Sequence, residues 1–566
     1  MRLRIGLPPA GLDKFDDHPR QMCLGPIRSV GEPEWRPVTR KTSPQRPHRL
    51  LAGALAGMLT AAVALGVAEL AAAITGPQGA PVIAVGEVAI NLTPIPVKEF
   101  AIAHFGSHDK EALLTGIVVL LGAFAALVGI LAIRRVAAGL AGLAGFAAVG
   151  AAAAISRPAA TAVDAVPTLA GVCAAAVALV VLARYAGAAR PQPLGTAIST
   201  GTEPEPGTGG GSPDRRRFLI AAAGAATLAA AAGALGDRLL GRFSIASSRA
   251  QVRLPAPAVP APAVPAGADL RISGLTPFFT PDSGFYRVDT DLILPQVAPQ
   301  TWTLRIDGMV ERELEISFAE LLRMPLTETD ITLVCVSNEV GGSYAGNARW
   351  LGAPLAGLLR RAGVRAGADQ VLSTAADGMT ISTPVAAIMD GRDALLAVGM
   401  NGQPLPVAHG FPARMVVPGL YGYVSATKWV TRLTLTTFAR QRAYWTQRGY
   451  AAQAPIKTES RIDVPRPLAQ LPAGRVAVAG VAWAPTRGIA LVEVSVDGGG
   501  WHAARLAAAD GIDTWRQWVW PWDAAAGLHR LQVRATDRAG ATQPARRAAP
   551  FPNGASGWDS VVVTVM

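Results

Sequence analysis

The chain has 566 residues, enough for two or three domains, and half of them are hydrophobic. Its formal net charge of +12 could suit nucleic acid. However, the basic residues flank apolar segments or lie scattered, without a basic stripe interleaved with aromatic residues, so we expect no nucleic-acid partner. Of the three cysteines, Cys23, Cys173 and Cys335, only the last lies in the second half, which excludes a disulfide framework there.

Apolar segments with the length of membrane helices fill the chain before about residue 240. Four of them, at 50–74, 112–133, 136–155 and 166–185, can each cross about 30 Å of hydrocarbon as a helix. A fifth, at 218–236, is Ala-rich. We therefore expect an N-terminal all-α transmembrane bundle of about five spans that lies in the lipid bilayer.

Arginine clusters predict the orientation of these spans. They lie before the first span, between the second and third, and between the fourth and fifth: Arg46 and Arg49, Arg134 and Arg135, and Arg184, Arg190 and Arg215–Arg217. With all three clusters in the cytoplasm, the chain after about residue 240 lies outside the cytoplasmic membrane. The Arg215–Leu219 stretch also resembles a twin-arginine export signal, although an ordinary positive-inside anchor explains it as well.

Few polar side chains occur within the spans. No histidine lies inside one, and a haem between membrane helices needs axial ligands, so we do not expect a cytochrome b. His104 and His108 fall in a loop at 75–111 that is predicted to be external. Glu69, near the end of the first span, is either a functional carboxyl or a side chain that reaches the interface.

The second half of the chain begins with mixed strand and helix patterns. Residues 302–306 alternate like a strand, and Ser317 with Glu320 three positions later is typical of a capped helix start. Residues 331–336 read as a strand that reaches Cys335, followed by a polar, Gly-rich loop. This cysteine is a small buried hydrophobe, a nucleophile that needs a histidine base, or a thiolate ligand for a soft metal.

A second segment of interest runs from His409 to Trp429. It holds one of the three histidines and one of the two lysines found after residue 270, together with Arg414 and several glycines. Arginine, lysine and closely approaching backbone N–H groups suit a large anionic cofactor that carries a phosphate. The alternative is a structured turn before a strand at 429–436.

These two segments resemble the sulfite oxidase family of molybdopterin enzymes. The family pattern is Cys-x-x-Asn at a strand end, then a long Met-Asn-Gly-x-Pro-Leu-Pro-x-x-His-Gly-x-Pro-x-Arg-x-x-x-Pro-Gly motif, then Lys-Trp. This chain reads Cys335-Val-Ser-Asn338, then the long motif from Met400 to Gly419, then Lys428-Trp429. The resemblance covers about residues 275–566.

The resemblance implies a molybdenum–molybdopterin cofactor with Cys335 as the protein thiolate on the metal, alongside the pterin dithiolene. His409, Arg414 and Lys428 would hold the pterin and its phosphate. The full implied set of cofactor-binding residues is Tyr286, Arg287, Asn338, Asp377, His409, Arg414, Ser425, Thr427 and Lys428. Tyr286 and Arg287 match a family cofactor loop only with a one-residue shift. Tyr450, five residues after a tryptophan, matches the active-site tyrosine and would orient substrate with Arg448.

Two departures from the family concern the substrate. Sulfite-oxidising members carry an arginine five residues after the cysteine, where this chain has Val340. They carry another near the C-terminus, in a stretch matched here by residues 552–556. Without these cations a dianion loses much of its electrostatic attraction. A neutral sulfoxide or another oxo acceptor is therefore as compatible with the sequence as sulfite.

Composition, hydropathy and the family resemblance together predict seven segments of three fold classes. The segments are a basic cytoplasmic N-terminus (1–49), a four-span membrane domain (50–190), a cytoplasmic linker (191–217), the fifth span (218–240), a stiff Pro/Ala spacer (241–269), an α+β molybdopterin domain (270–455) and an immunoglobulin-like β-sandwich (456–566). In the resembling family the last domain mediates dimerisation, so a homodimer is an expected assembly.

The predicted function is two-electron oxygen-atom transfer on a small sulfur or other oxo substrate, by a multi-pass membrane protein with an extracytoplasmic catalytic domain. No haem-attachment or nucleotide-binding motif occurs, so a separate electron partner is expected, such as a cytochrome c or a quinone-linked protein. The alternatives are a sulfoxide reductase of the same family, a non-catalytic membrane scaffold, and a hydrolase that uses Cys335 and His409.

Overall fold

The computed structural model describes residues 46–94, 97, 100, 109–157, 159–187, 213–241 and 245–566. Several sequence-based predictions fall outside these residues. They concern the basic N-terminus with Cys23, the loop histidines His104 and His108, and the linker between the fourth and fifth spans.

Five long apolar helices form the N-terminal part of the structure. They are α1 (Arg46–Thr75), α3 (Asp109–Arg134), α4 (Val136–Ile155), α5 (Val166–Gly187) and α6 (Pro213–Leu240). Each is long and apolar enough to cross a membrane. The five helices agree with the segments expected from hydropathy. We refer to residues 46–240 as the membrane half.

A sixth, shorter helix lies where the sequence predicted only a loop. This helix, α2 (Pro81–Leu92), begins with proline at its first position and packs its Ala84 against Ala153 and Ala154 of α4. Its 12 residues are too few to span a bilayer, so hydropathy over a span-length window passes over it. The correction matters because α2 carries residues that meet the second half of the chain.

Glycines let the membrane helices approach closely. A Cβ added at Gly57 of α1 would collide with the carbonyl oxygen of Ala125 on α3, and one at Gly129 of α3 would collide with that of Gly53. Small residues at such crossings bring two backbones into van der Waals contact, which is the main attraction available between helices in lipid. The Gly- and Ala-rich composition of these helices is thereby explained.

Two sheets form the region between residues 303 and 436. The first has the order β2 (Leu314–Ser317), β1 (Thr303–Gly308), β10 (Val430–Thr436), β5 (Gln370–Ala375) and β6 (Thr380–Pro384), in which only β1 and β10 are parallel. The second has the order β3 (Thr327–Val334), β4 (Ala345–Pro354), β7 (Leu395–Met400) and β8 (Gln403–Pro404), with β9 (Arg414–Val416) also paired to β7.

Short helices connect these strands: α8 (Phe318–Arg323), α9 (Leu355–Ala362), α10 (Val385–Met389) and α11 (Tyr444–Gln447). The predicted capped start of α8 is confirmed, since the Glu320 N–H donates to Ser317 Oγ at 3.3 Å and the Ser317 N–H donates to Glu320 Oε2 at 2.8 Å. We refer to residues 270–455 as the cofactor domain.

The proposed spacer before the cofactor domain runs along that domain rather than standing clear of it. It includes a short helix, α7 (Ala246–Gln251), whose Arg249 Nε donates to the Leu405 carbonyl at 2.7 Å. Ile245 is buried in the core beside β7, and the Ala258 N–H donates to the Leu326 carbonyl at 2.8 Å. Proline-rich composition alone does not show whether an extended segment finds a partner for its backbone groups.

Two sheets also form the C-terminal domain (residues 456–566). One has the order β11 (Glu459–Val464), β13 (Gly474–Trp483), β17 (Arg516–Ala524) and β16 (Arg505–Leu506). The other has the order β12 (Gln470–Leu471), β19 (Asp559–Val565), β18 (Gly527–Asp537), β14 (Ile489–Val496) and β15 (Trp501–Ala503). Their facing side chains, Trp518 and Val533 among them, form one core, while the immunoglobulin-like type stays a prediction.

Candidate cofactor site

Cys335 lies directly after β3, in a turn whose two ends are held by hydrogen bonds. Its N–H donates to the Tyr344 carbonyl at 2.9 Å, and the Asn338 N–H donates to the Cys335 carbonyl at 3.0 Å. Asn338 closes the turn because its Oδ1 accepts from the Tyr344 N–H at 2.8 Å. The thiol is buried, which raises its pKa, while the Ser337 N–H, 3.4 Å from Sγ, and Lys428 lower it. The turn therefore fixes the sulfur at one point.

The loop from Phe285 to Thr290 reaches this sulfur. Burial raises the pKa of Tyr286; the charge of Cys335 raises it further, and the charge of Arg414 lowers it. Its ring stacks on Phe285 at 5.2 Å, and the Phe285 ring meets that of His409 edge-on at 5.4 Å. The structure therefore brings Tyr286 to the site despite the imperfect match of its motif.

Arg414 is a buried guanidinium held by carbonyl groups. It donates to the carbonyls of His409 at 3.1 Å and Ala426 at 3.3 Å, and lies over the Trp350 ring at 5.1 Å. Burial lowers its pKa to about 10. Among the residues that the structure describes, no carboxylate pairs with it. A buried cation that lacks a counter-charge is costly, so this group is suited to receive an anion.

His409 is neutral in this setting. Burial lowers its pKa to about 4, and the charge of Arg414 adds to the effect. In the tautomer protonated at Nε2, the ring donates to the Asp282 carbonyl at 3.2 Å. The histidine therefore contributes hydrogen bonding to the site without adding a third charge beside Arg414 and Lys428.

Lys428 shares a carboxylate with other cations. Its Nζ lies 2.9 Å from Asp289 Oδ2 and 4.6 Å from the centre of the Trp429 ring. Burial lowers the pKa of Lys428 to about 8, and Asp289 opposes this effect. Arg287 pairs with the same carboxylate, with its Nε 2.8 Å from Oδ2. Although burial alone would raise the pKa of Asp289, Lys428 and the other cations hold it well below its usual range.

Ser425, Thr427 and Asp377 take part in the turns around the site. Ser425 Oγ donates to the carbonyls of Leu420 and Tyr421 at 3.0 Å, and Thr427 Oγ1 lies 2.6 Å from Ser373 Oγ. Asp377 Oδ1 accepts from the Met379 N–H at 2.8 Å and lies beside Asp291. These side chains shape the backbone that would face a cofactor, and direct binding by them stays a prediction.

Tyr450 lies in an aromatic cluster. Its ring meets those of Tyr423 at 5.4 Å, Trp445 at 5.3 Å and Phe551, from the C-terminal domain, at 5.0 Å. Arg448 lies at the edge of this cluster, because its guanidinium stacks on the Tyr444 ring at 3.4 Å and that ring meets the Trp445 ring at 5.0 Å. The roles of Tyr450 and Arg448 in orienting substrate stay predictions.

Three charged residues near the site escaped the sequence analysis. Asp289 is the carboxylate described above. Lys457 Nζ donates to Asn553 Oδ1 at 3.2 Å, so it lies against the stretch where sulfite-oxidising members carry an arginine. Burial raises the pKa of Glu459 to about 8, against the lowering effects of Lys457 and Asn338. Lysine is rare after residue 270, so the sequence could have marked Lys457 as a candidate site residue. The burial of Asp289 and Glu459 depends on the fold and could not be predicted from the sequence.

The residues fit a pterin-linked molybdenum cofactor. The charges of Cys335 and Arg414 both act on the phenol of Tyr286, and Lys428 acts on Cys335, so a soft metal ligand and anion-binding groups lie around the same phenol. The fit depends mainly on Arg414, because a phosphate on the cofactor would balance its buried charge.

Comparisons with known proteins agree with this arrangement. Residues 291–445 match the family model described as an oxidoreductase molybdopterin binding domain. The chain is 32% identical over 289 residues to sulfite oxidase from Gallus gallus, covering 43% of this chain and 62% of that protein. It is 26% identical over 339 residues to a nitrate reductase [NADH] from Oryza sativa subsp. japonica, covering 47% and 36%.

A solved structure is also similar. The sulfane dehydrogenase SoxCD from Paracoccus pantotrophus is 27% identical with a TM-score of 0.45, over 51% of this chain and 84% of that one. The chain spans between about one half and three fifths of the length of the mitochondrial and avian sulfite oxidases that it matches. The membrane half lies outside the region matched by the molybdopterin-binding family model.

Proposed function

Because this chain belongs to the sulfite oxidase family of molybdopterin oxidoreductases, we propose that it catalyses two-electron oxygen-atom transfer on a small sulfur or other oxo substrate. The observation that carries the proposal is that Tyr286 interacts electrostatically with both the buried thiol of Cys335 and the buried guanidinium of Arg414, which has no carboxylate partner among the described residues. A hydrolase with Cys335 as its nucleophile would explain the buried thiol, but it would not explain why the buried Arg414 lacks a carboxylate partner among the described residues.

The roles of the residues follow from their surroundings. When bound, the molybdenum cofactor supplies a couple that accepts or donates two electrons together with an oxygen atom. Cys335 is the soft donor to the metal, and its turn fixes the direction of approach. Arg414 and Lys428 bind the anionic end of the pterin, while neutral His409 contributes a hydrogen bond. Burial excludes water and strengthens each of these interactions.

The aromatic cluster forms the proposed substrate side of the site. The Tyr450 phenol can donate a hydrogen bond to an oxygen of the substrate, and Tyr423, Trp445 and Phe551 surround it with apolar surface. Sulfoxide reduction is the second candidate. It is favoured by this apolar wall and by Val340, which replaces a cation found in sulfite-oxidising members. Lys457, which contacts Asn553, is a cation that can attract an oxyanion.

The proposed setting is the outer face of the cytoplasmic membrane. The arginine-rich turn between α3 and α4 is the cytoplasmic end of the bundle under the positive-inside rule, and the cofactor domain contacts α2 and the first turn of α3, at the opposite end. Electrons pass to or from a separate partner, a cytochrome c or a quinone-linked membrane protein.

The first experiment measures molybdenum and pterin in the purified full-length protein from a host that makes the cofactor. About one molybdenum per chain is expected, since one thiolate site is proposed. The protein is then assayed with sulfite plus ferricyanide, and separately with a sulfoxide plus reduced viologen. Activity in one assay identifies the direction of transfer.

The Cys335→Ser variant is the control. A hydroxyl is a poor ligand for a soft metal, so most of the activity, the metal's spectroscopic signature and much of the metal content should be lost. A variant that kept the metal content and signature of the wild type would refute the proposed role of Cys335. Wild-type protein without molybdenum or pterin would refute the function.

A further inference from the structure

The membrane half and the cofactor domain meet beside the proposed phosphate site. Lys110, in the first turn of α3, places Nζ 2.6 Å from Asp289 Oδ1 and 2.5 Å from the Asp291 carbonyl oxygen. Asp289 is the carboxylate that also holds Lys428 and Arg287. One side chain from the membrane half is therefore part of the same ionic cluster as two residues assigned to the cofactor.

Other contacts hold α2 and α3 in place at this junction. Leu292, three residues after Asp289, packs on Gly86 of α2, where a Cβ would collide with its side chain. The Tyr444 hydroxyl donates to Asn91 Oδ1 at 2.5 Å. The contact of Lys110 with the cofactor domain is therefore one of several at this junction, together with those of Gly86 and Asn91.

Asp289 has more cationic partners than one carboxylate needs. Asp289 is 5% exposed and carries one negative charge, whereas Lys110, Arg287 and Lys428 bring three positive charges to its two oxygens. One cation would be enough to satisfy a buried carboxylate. Two further acids lie nearby, since the charge of Asp291 raises the pKa of Arg287 and Asp291 is hydrogen-bonded to Asp377. Arg414 is a further cation, and its charge lowers the pKa of Lys428, so an anion placed beside both would be stabilised by them.

We propose that the membrane half completes the cofactor site: Lys110 is a positioning residue that, through Asp289, holds Lys428 and Arg287 where they bind the pterin phosphate. This inference rests on the proposed function. Lys110 donates to Oδ1 of Asp289 and to the carbonyl of Asp291, so it fixes the loop, while Lys428 donates to Oδ2 and Arg287 donates to both oxygens. The bundle then acts as a structural part of the cofactor-binding pocket.

The test compares full-length variants purified in detergent. Lys110→Gln removes the charge but keeps much of the side-chain length, and Lys110→Arg restores a cation. We expect roughly threefold or greater loss of both molybdenum and pterin per chain in Lys110→Gln, with faster release of pterin during dialysis, and near wild-type retention in Lys110→Arg.

Arg305→Gln is the matched control. Arg305 shares the buried carboxylate of Asp307 with Arg432, in the same arrangement of several cations on one acid but without a membrane-half partner. Its loss should leave cofactor content unchanged. Melting temperature and size-exclusion profile, measured on each variant, identify any that are misfolded, and Lys110→Arg keeps the comparison valid if Lys110→Gln folds poorly.

Two results would contradict the proposal. If a folded Lys110→Gln variant retained molybdenum and pterin at the wild-type level, Lys110 would only connect the two domains and would have no role in cofactor binding. Loss of cofactor in Lys110→Arg equal to that in Lys110→Gln would also remove the role of the charge. Both differ from the absence of cofactor in the wild type, which would refute the proposed function instead.

Discussion

Buried charges determine what the residues of the candidate site can bind. Arg414 has carbonyl groups as its hydrogen-bond partners, Lys428 shares Asp289 with two other cations, and His409 stays neutral. Desolvated cations with too few counter-charges raise the free energy of the folded state, and a phosphate that joins them lowers it. The site is therefore preorganised for an anion before any anion is bound.

Glu459 provides a pH test at the residue scale. Its pKa is raised to about 8 by burial, whereas the carboxyl in the unfolded chain has its ordinary pKa of 4.5. The folded state thus keeps a proton that the unfolded state loses, and the free energy of unfolding falls as pH rises from below 4.5 to about 8. Glu459→Gln removes this dependence, so its melting temperature relative to the wild type should rise between about pH 5.5 and about pH 8.5.

The size of this effect is bounded by about 1.4 kcal/mol per pH unit for one proton. Differential scanning fluorimetry of both proteins across the pH range measures it. Glu313→Gln is the control, because Glu313 is 61% exposed and its ion pair with Arg305 is at the surface. Parallel curves for Glu459→Gln and the wild type would show that the carboxyl is ionised in the folded protein.

Close packing of small residues is the main feature at the scale of elements. Helices α1 and α3 cross where Gly53, Gly57 and Gly129 face one another, and no side chain separates the two backbones. In lipid, apolar side chains gain little by leaving their surroundings, so this contact depends on shape. The Ala-rich helix α6 contacts α1 in the same manner, with Gly66 against Ala229.

Gly129→Ala tests the crossing. The added methyl would collide with the backbone of α1 at Gly53, and overpacking of this kind costs about 1–3 kcal/mol. We expect the melting temperature of the detergent-solubilised protein to fall by several degrees. Gly116→Ala, on the same helix with nothing within 4 Å of the new methyl, is the matched control and should cause no loss. Equal melting temperatures for both variants would contradict the packing argument.

The elements themselves were predicted with uneven success. Span-length apolar segments, the capped helix at Ser317 and the strand that leads to Cys335 were visible because each follows a local rule of hydropathy, capping or alternation. Helix α2 was missed because it is short, and the path of the Pro/Ala segment over the cofactor domain was missed because its hydrogen-bond partners are distant in sequence.

Orientation in the membrane belongs to the scale of the whole molecule. The arginine pair at the α3–α4 turn and the contacts of Asn91 and Lys110 with the cofactor domain lie at opposite ends of the bundle. If the arginines are cytoplasmic, the cofactor and C-terminal domains lie outside the cell's inner compartment. A cysteine-labelling experiment, in which the buried Cys335 is left in place, decides this.

In a background with Cys23 and Cys173 replaced by serine, Gly500→Cys places a thiol in open space on the C-terminal domain. A charged, membrane-impermeant maleimide should label it in cells whose inner membrane is intact. Arg135→Cys, at the exposed turn between α3 and α4, should be labelled only after permeabilisation. The reverse pattern would place the catalytic domain in the cytoplasm and overturn the proposed setting.

The sequence by itself determined the class of chemistry and the number of apolar helices. A cysteine motif, a long cofactor motif and hydropathy are local patterns, so they can be recognised in the sequence without knowledge of the fold. Only the tertiary structure decided which charges share a pocket. Asp289, Lys110 and Lys428 are brought together from three distant parts of the chain, and their energies depend on burial and on distances of a few ångströms. Coulomb interactions and desolvation act through space, and the order of residues along the chain does not encode that proximity directly.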